Sequence, residues 1–69
     1  MNPDEIAKLT KYLRKTFGSD RISVRKRPQK NDSAEVYAGE EFIAVISRDE
    51  EDGELSYQLN MAILDIDLE

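Results

Sequence analysis

The chain contains no cysteine, no histidine and no tryptophan, and only 3 glycines and 2 prolines among its 69 residues. Without cysteine there is no disulfide and no thiolate nucleophile, and without histidine the usual general base near neutral pH is missing. Zinc and copper lose their preferred ligands for the same reason. The scattered glycines do not form a phosphate-binding loop. We therefore expect a protein that is not an enzyme, has no cofactor and binds no metal.

Long apolar runs are also absent. No stretch approaches the roughly 18 to 20 apolar residues that are needed to span a bilayer. The chain begins with MNPDEIAKL, which is acidic and helical in pattern, whereas a signal peptide begins with basic residues and continues with apolar ones. A chain without cysteine also suits a reducing compartment. We expect a cytoplasmic protein with no membrane partner.

Charged residues are abundant and unevenly distributed along the chain. Residues 1–30 hold nine basic and three acidic side chains, whereas residues 31–69 hold twelve acidic side chains and a single basic one, Arg48. The whole chain has a formal net charge of −5. Such polarity indicates either complementarity within the fold or a charged binding face.

A chain of this length is expected to form one domain, residues 1–69, with a small core. Folding buries only about 60% of the surface of so short a chain. A core of this size rarely supplies more than about 3 to 5 kcal/mol of stability. Disulfides and structural metals, which often support small domains, are not available to this sequence. A partner subunit is therefore one remaining source of stability.

The clearest predicted element is an amphipathic helix over residues 3–17. Asn2 can cap it, Pro3 suits its first position, and Glu5 stands where a capping box places an acid. Gly18 supplies a left-handed end. One face carries Ile6, Leu9, Leu13 and Phe17, and the opposite face carries Lys8, Lys11 and Lys15.

Beyond the helix the apolar period changes to two, which predicts four strands. Their ranges are 21–27, 34–38, 42–47 and 55–63, and a C-terminal segment follows at 64–69. Pro28 ends the first strand, and turns at Gly39-Glu40 and Asp52-Gly53 separate the later ones. Short connections favour an antiparallel meander with the helix across one face. The predicted fold class is α+β in two layers, with the element order α-β-β-β-β.

The third predicted strand is apolar at every position from Phe42 to Ile46. It therefore presents apolar side chains on both faces of the sheet, and one helix can cover only one face. The apolar positions switch from odd to even near residues 62–64, which indicates a bulge or a new segment. Two covers fit the second face: the C-terminal segment folded back, or a second copy of the chain. The candidate apolar interface consists of Tyr37, Phe42, Ile43, Val45 and Ile46.

The pairing of the second and third strands has two solutions. A two-residue loop at Gly39-Glu40 pairs Val36 with Ile43, whereas a three-residue loop pairs Val36 with Ala44. Glycine at the first loop position suits a II′ turn, which favours the shorter loop.

Two acidic features invite a chemical interpretation. The pairs Glu40-Glu41 and Asp65-x-Asp67 could act in catalysis only if a cleft held them, but charge runs are usually exposed to solvent. The run 49–54 combines carboxylates with a glycine, as calcium loops do. Its spacing departs from the EF-hand pattern, because Asn60 occupies the position of the bidentate glutamate. We expect solvated acids, with no catalytic residue and no calcium site.

Basic side chains form a candidate binding face for nucleic acid. Lysines on the outer face of the helix and basic residues at the end of the first strand could contact phosphates. The set is Lys8, Lys11, Lys15, Arg25, Lys26, Arg27 and Lys30. Single-strand binders also need aromatic side chains for stacking, but only Tyr12 is near this set, and Tyr37 and Tyr57 lie in the acidic half. A solvated helix face and a charge-protected sheet edge explain the same residues, so RNA binding is the alternative hypothesis.

The same charge polarity favours a protein partner. The basic helix and first strand of one molecule can meet the acidic turn and C-terminal segment of another. A two-fold arrangement satisfies both polarities, because each molecule offers both patches. The leading hypothesis is a small non-enzymatic protein-interaction module whose partner is another protein or, as a homodimer, a second copy.

The chain also carries the segments EVYAGEEFIAVISRDEEDGE and MAILDIDL, and an opening helix that runs into RKTFG. With this combination it resembles a family of short bacterial proteins of unknown function, familiar from alphaproteobacteria. The resemblance covers essentially the whole chain. It implies a bacterial cytoplasmic single-domain protein and carries over no activity, ligand, partner or functional residue.

Overall fold

Helix α1 spans Pro3–Phe17 in the computed structural model, which describes residues 1–29, 31–51 and 53–68. The Asn2 side chain accepts the backbone N–H of Glu5 at 2.8 Å, and the Glu5 carboxylate accepts the backbone N–H of Asn2 at 3.1 Å. Gly18 ends the helix with a φ of +63°. The helix thus has the bounds and caps expected from its sequence. Lys30 and Asp52, which belong to two of the predicted features, lie outside the described residues.

Four strands follow the helix and pair in sequence order. They are β1 Ile22–Lys26, β2 Ser33–Ala38, β3 Glu41–Asp49 and β4 Ser56–Asn60. Each pairs antiparallel with the next, so β1 and β4 are the edges of the sheet. Helix α1 lies across one face, mainly against β1. The α+β fold class with the order α-β-β-β-β is confirmed.

The core lies between α1 and the first three strands. Leu9 and Leu13 on the helix pack against Val24 on β1 and Val36 on β2, which is only 1% exposed. Val24 pairs with Val36 on the neighbouring strand, and both side chains lie on the helix-facing side. Along each strand such buried side chains alternate with side chains on the other face. The buried apolar residues are Met1, Leu9, Leu13, Ile22, Val24, Ala34, Val36, Ala44 and Ile46.

The two alternative registers of β2 and β3 both occur, on either side of a bulge. Next to the turn, Tyr37 pairs with Phe42, as a two-residue loop requires; beyond it, Val36 pairs with Ala44. Ile43 is the additional residue between these pairs. The preference for the shorter loop is therefore right at the turn, whereas its pairing of Val36 with Ile43 is wrong. The bulge reconciles a tight turn with the burial of Ala44.

The chain leaves the sheet at Asn60, before the predicted strand end at residue 63. Residues 61–64 are irregular, and Asp65–Leu68 form a short 3₁₀ helix. Leu64 and Leu68 are 59% and 73% exposed, respectively. Of the two covers considered for the second face, the C-terminal segment folded back over the sheet is therefore wrong. The change in apolar parity marks a new segment that projects its apolar side chains into solvent.

Gly39 opens the tight turn between β2 and β3 with a φ of +64°, and its N–H donates to the carbonyl oxygen of Arg21 at 2.9 Å. An alanine here would be held in a left-handed conformation, and its β-carbon would meet the Arg21 guanidinium group. We expect Gly39→Ala to lower the free energy of unfolding by about 1 to 2 kcal/mol in urea denaturation. The neighbouring Glu40→Ala should change it by less than about 0.5 kcal/mol. Equal values for the two variants would contradict this turn geometry.

Candidate functional site

Glu5, Arg48 and Tyr57 form a hydrogen-bonded cluster that joins α1, β3 and β4. Arg48 Nε donates to Glu5 Oε2 at 2.9 Å, and the Tyr57 hydroxyl donates to the same oxygen at 2.8 Å. Glu5 Oε1 accepts hydrogen bonds from Arg48 Nη2 and from the backbone N–H of Asn2. Each carboxylate oxygen thus accepts two hydrogen bonds. The cluster attaches the first turn of the helix to the two strands farthest from β1.

The contacts of Glu5 hold its carboxylate in the ionised form. They lower its pKa from 4.5 to about 2, first through the hydrogen bond from Tyr57, then through the Asn2 backbone and Arg48, whereas burial opposes the shift. The hydrogen bond to Glu5 in turn raises the pKa of Tyr57 and that of Arg48. A carboxylate with so low a pKa and with both oxygens occupied is a weak general base. The cluster is therefore suited to holding the helix in place, and it does not resemble a catalytic centre.

We expect stability to fall with acid over the range in which Glu5 titrates. Because the pKa of Glu5 is about 2 in the folded chain against 4.5 for an unperturbed carboxyl group, the stabilising contribution is present above pH 4.5 and is lost as the pH falls toward 2. Glu5→Gln should flatten the pH dependence of the unfolding free energy over this interval, measured by urea denaturation at stepped pH. The exposed Glu54→Gln is the matched control and should keep the wild-type slope. A Glu5 carboxyl group that titrates near pH 4.5 by NMR would contradict the assignment.

This cluster was not predicted, because the sequence assigns Glu5 to the capping box alone. Its partners lie 43 and 52 positions away along the chain. One signal pointed to it: Arg48 is the single basic residue in the acidic half. An isolated arginine among carboxylates indicates a specific ion pair, but does not show which acid it contacts.

The structure places the candidate basic residues on different sides of the sheet. The lysines of α1 are exposed on the outer side of the helix. Arg25 lies on the opposite face of the sheet, where its guanidinium group stands 4.0 Å from the centre of the Tyr37 ring. Arg25 therefore does not share a surface with the lysines of α1. The remaining members are Lys26 and Arg27, at the end of β1, and Lys30, which lies outside the described residues.

The bulge also divides the candidate apolar interface between the two faces. Ile46 is in the core at 3% exposure, and Ile43 packs against the core from the same side. Tyr37, Phe42 and Val45 lie on the open face, which is the face away from α1. The third strand is thus apolar on both faces, but the open face holds only these three members of the set.

The open face carries a small aromatic cluster. The rings of Tyr37 and Phe42 meet edge to face with their centroids 5.8 Å apart, and Phe42 is 50% exposed. The Arg25 guanidinium group lies over the Tyr37 ring, and the Tyr37 hydroxyl donates to Glu35 at 3.2 Å. The expectation that Tyr12 is the one aromatic near the basic side chains is therefore wrong, because strand pairing brings Tyr37 next to Arg25.

The helix-facing side holds a larger apolar feature, because α1 covers β1 and leaves β3 and β4 partly open. An apolar groove of about 440 Å³ runs between the helix and these strands, and a second one of about 220 Å³ adjoins it. Phe17 and Leu59 line both, so we treat them as one surface, the groove. Its exposed members include Tyr12 at 64%, Phe17 at 56% and Leu59 at 39%. It is lined by Leu9, Tyr12, Leu13, Thr16, Phe17, Ile22, Val36, Ile43, Ala44, Ile46, Tyr57, Leu59 and Met61.

The residues after β4 form a second exposed apolar feature, the tail (residues 61–68). Met61 still lines the end of the groove, and the chain then moves away from it. Ile63 is 65% and Ile66 70% exposed. A domain of this size thus has both an open apolar groove and an exposed apolar segment, and each is a feature that typically marks an interaction site.

In the part of the chain that the structure describes, no group of three or more acidic, histidine or cysteine side chains is arranged to hold a metal ion. Within the same residues, neither helix has the length and apolar character that crossing a bilayer requires.

These features define a small two-layer α+β domain with an antiparallel meander sheet, a hydrogen-bonded helix attachment and an apolar groove. The chain belongs to the family described as "Protein of unknown function (DUF3126)", which matches residues 5–67. The match runs from the capping-box glutamate through all four strands and into the tail. It confirms the predicted membership in a family of unknown function, while the bacterial origin stays a prediction. No curated protein and no solved structure matches the chain.

Proposed function

We propose that this protein is a non-enzymatic protein-interaction module of the cytoplasm that self-associates as a homodimer. The observation that carries the proposal is the groove between α1 and β3–β4. Two of its lining residues, Phe17 and Leu59, are exposed to solvent. Monomeric proteins rarely expose contiguous apolar surface of this kind without a binding role. A second copy of the chain is the occupant that best fits the charge and composition of the surface.

Charge complementarity supports self-association. The exposed lysines of α1 and the end of β1 are basic. The sequence of the β3–β4 turn and of the C-terminus is acidic. Each copy offers both signs, so a two-fold axis brings unlike patches together twice. Complementary potentials of this kind steer encounter and set the orientation of the partners.

The chemistry of the described side chains supports a binding role without catalysis. Among the described carboxylates Glu5 has the most perturbed pKa, and it already accepts four hydrogen bonds from Asn2, Arg48 and Tyr57. The sequence supplies neither histidine nor cysteine as a base or nucleophile. Binding energy in such a small domain therefore comes from apolar surface and ion pairs.

The test is the mass of the protein in solution. Sedimentation equilibrium from micromolar to millimolar concentration should show a transition from 7.9 kDa to twice that mass. Added salt should weaken the association, because part of it comes from unlike charges. A strictly monomeric mass at millimolar concentration would contradict the proposal.

One observation favours a second candidate function, the binding of single-stranded RNA on the open face. Arg25, Tyr37 and Phe42 combine a cation with two aromatic rings, as stacking platforms do. The nearby Glu35 and the net charge of −5 act against this reading. Fluorescence anisotropy with a labelled oligoribonucleotide tests it.

The RNA candidate predicts a specific loss on mutation. Tyr37→Ala should cost about 1 to 3 kcal/mol of binding, the usual value for one stacked base. Lys15→Ala, on the other side of the molecule, is the control and should have little effect. An absence of salt-sensitive binding by the wild-type protein would exclude this candidate.

A further inference from the structure

We propose that the groove of each copy is filled by the tail of the other copy, so that the dimer forms by reciprocal exchange of residues 61–68. This inference rests on the proposed self-association and assigns the segment that produces it. The groove and the tail are both apolar and exposed to solvent, and the exchange covers both at once.

The dimensions of the two features agree. The groove follows α1 from Leu9 to Phe17, and a separate polar pocket lined by Glu5 adjoins it at Leu9 and Tyr12. Together they extend about 18 Å along the helix at 1.5 Å per residue. The five residues 64–68 span about 13 Å when extended, and residues 61–63 add about 10 Å to cross between the copies. The apolar part of the tail therefore fits inside the groove with a connecting segment to spare.

The pattern of the tail suits this site. From residue 64 onward apolar and acidic residues alternate in the sequence LDIDLE, so an extended tail places Leu64, Ile66 and Leu68 on one side. That side meets the apolar walls around Phe17 and Leu59. Docking in this extended form requires the 3₁₀ helix of 4 residues to straighten. Because hydrogen-bond geometry in such a short 3₁₀ helix is poor, its loss costs little stability.

The acidic side of an extended tail then faces the basic rim of the groove. Lys8 lines the adjoining polar pocket beside Tyr12, a pocket that Glu50 also lines. The other two lysines of α1 are exposed on the same outer side of the helix. Three carboxylates between residues 65 and 69 meet this row. The exchange therefore pairs unlike charges along the same length over which it buries apolar side chains.

The chain's own groove is a poor site for its own tail. Met61 lines the end of the groove from which the tail departs, so the chain would have to reverse direction within the next few residues. Residues 61–69 contain no glycine, proline, asparagine or serine, and their two aspartates, which can also form turns, come only at 65 and 67, after the apolar part of the tail has begun. A second copy supplies the tail from outside, with no reversal. The family match extends to residue 67, so the tail belongs to the family pattern.

The experiment compares single substitutions in the full chain by sedimentation equilibrium. Ile66→Asp in the tail and Leu59→Asp in the groove should each raise the dimer dissociation constant by about 100-fold or more, because each places an unpaired charge in the apolar contact twice per dimer. Phe42→Asp, on the open face and also exposed in the monomer, is the matched control and should leave the constant within about threefold. Circular dichroism at low concentration confirms that each variant is folded.

A mixing experiment separates exchange from other contacts. Ile66→Asp retains an intact groove, and Leu59→Asp retains an intact tail, so a mixture should form a heterodimer with one complete contact. We expect this mixture to associate more tightly than either variant alone. As a direct probe, a synthetic peptide of residues 60–69 should bind the Ile66→Asp chain and should not bind the Leu59→Asp chain.

The outcomes are distinguishable. If the wild type dimerises and Phe42→Asp abolishes the dimer while Ile66→Asp does not, self-association stands and tail exchange is wrong. If neither substitution acts, the dimer forms elsewhere, for example at the β4 edge, and tail exchange is again wrong. If the wild type stays monomeric at millimolar concentration, both this inference and the proposed homodimer fail.

Discussion

Ile46→Ala is expected to lower the free energy of unfolding by about 2 to 5 kcal/mol, the range for truncating a large buried aliphatic side chain. Ile46 is 3% exposed beneath α1, so its removal leaves a cavity between helix and sheet. A core of this size supplies only about 3 to 5 kcal/mol in total. A large fraction of the variant should therefore be unfolded at room temperature, as measured by circular dichroism and urea denaturation at low protein concentration.

The control for this prediction is the same substitution in the tail. Ile66 is 70% exposed, so Ile66→Ala should change the stability of the monomer by less than about 0.5 kcal/mol. Low concentration is needed because association would add its own stabilisation to the folded state. Similar losses for both variants would mean that the tail is packed on its own domain, which contradicts the exposed tail.

Val36→Asp is expected to prevent folding. Val36 is 1% exposed at the centre of the helix-facing side, and a carboxylate placed there has no described cation beside it. Burying an unpaired charge costs several kcal/mol even after the protein relaxes, which matches or exceeds the stability available to so small a domain. The variant should show the far-ultraviolet circular dichroism of an unfolded chain at neutral pH.

Val45→Asp tests the opposite face of the same sheet. Val45 follows Ala44, which is buried on the helix side, and its own side chain is half-buried on the open face. A carboxylate there can reach water, so this variant should fold. If Val45→Asp unfolds as completely as Val36→Asp, the open face is covered in the monomer and the assignment of faces is wrong.

The helix and the meander could be predicted because their signals are local. Asn2, Glu5 and Gly18 define the ends of α1 within one turn of each end, and short turns leave little choice of strand order. The bulge at Ile43 could not be derived from either rule alone. The turn and the buried side require different registers, and only an additional residue satisfies both.

The candidate site was harder to predict because its parts are distant along the chain. The sequence grouped Arg25 with the lysines of α1, but alternation along β1 turns it to the face away from the helix, beside Tyr37. The contact between Glu5 and Tyr57 joins residues 52 positions apart. The open groove depends on where α1 lies across the sheet, which the apolar pattern of the helix does not specify.

The most direct test of tail exchange is a methyl NMR dilution series of the wild-type protein from millimolar to micromolar concentration. The account predicts concentration-dependent shifts at the methyl groups of Leu64, Ile66 and Leu68 in the tail and of Leu59 in the groove, with Val45 on the open face unchanged. Shifts confined to Val45, or spectra that do not change with concentration, would contradict it.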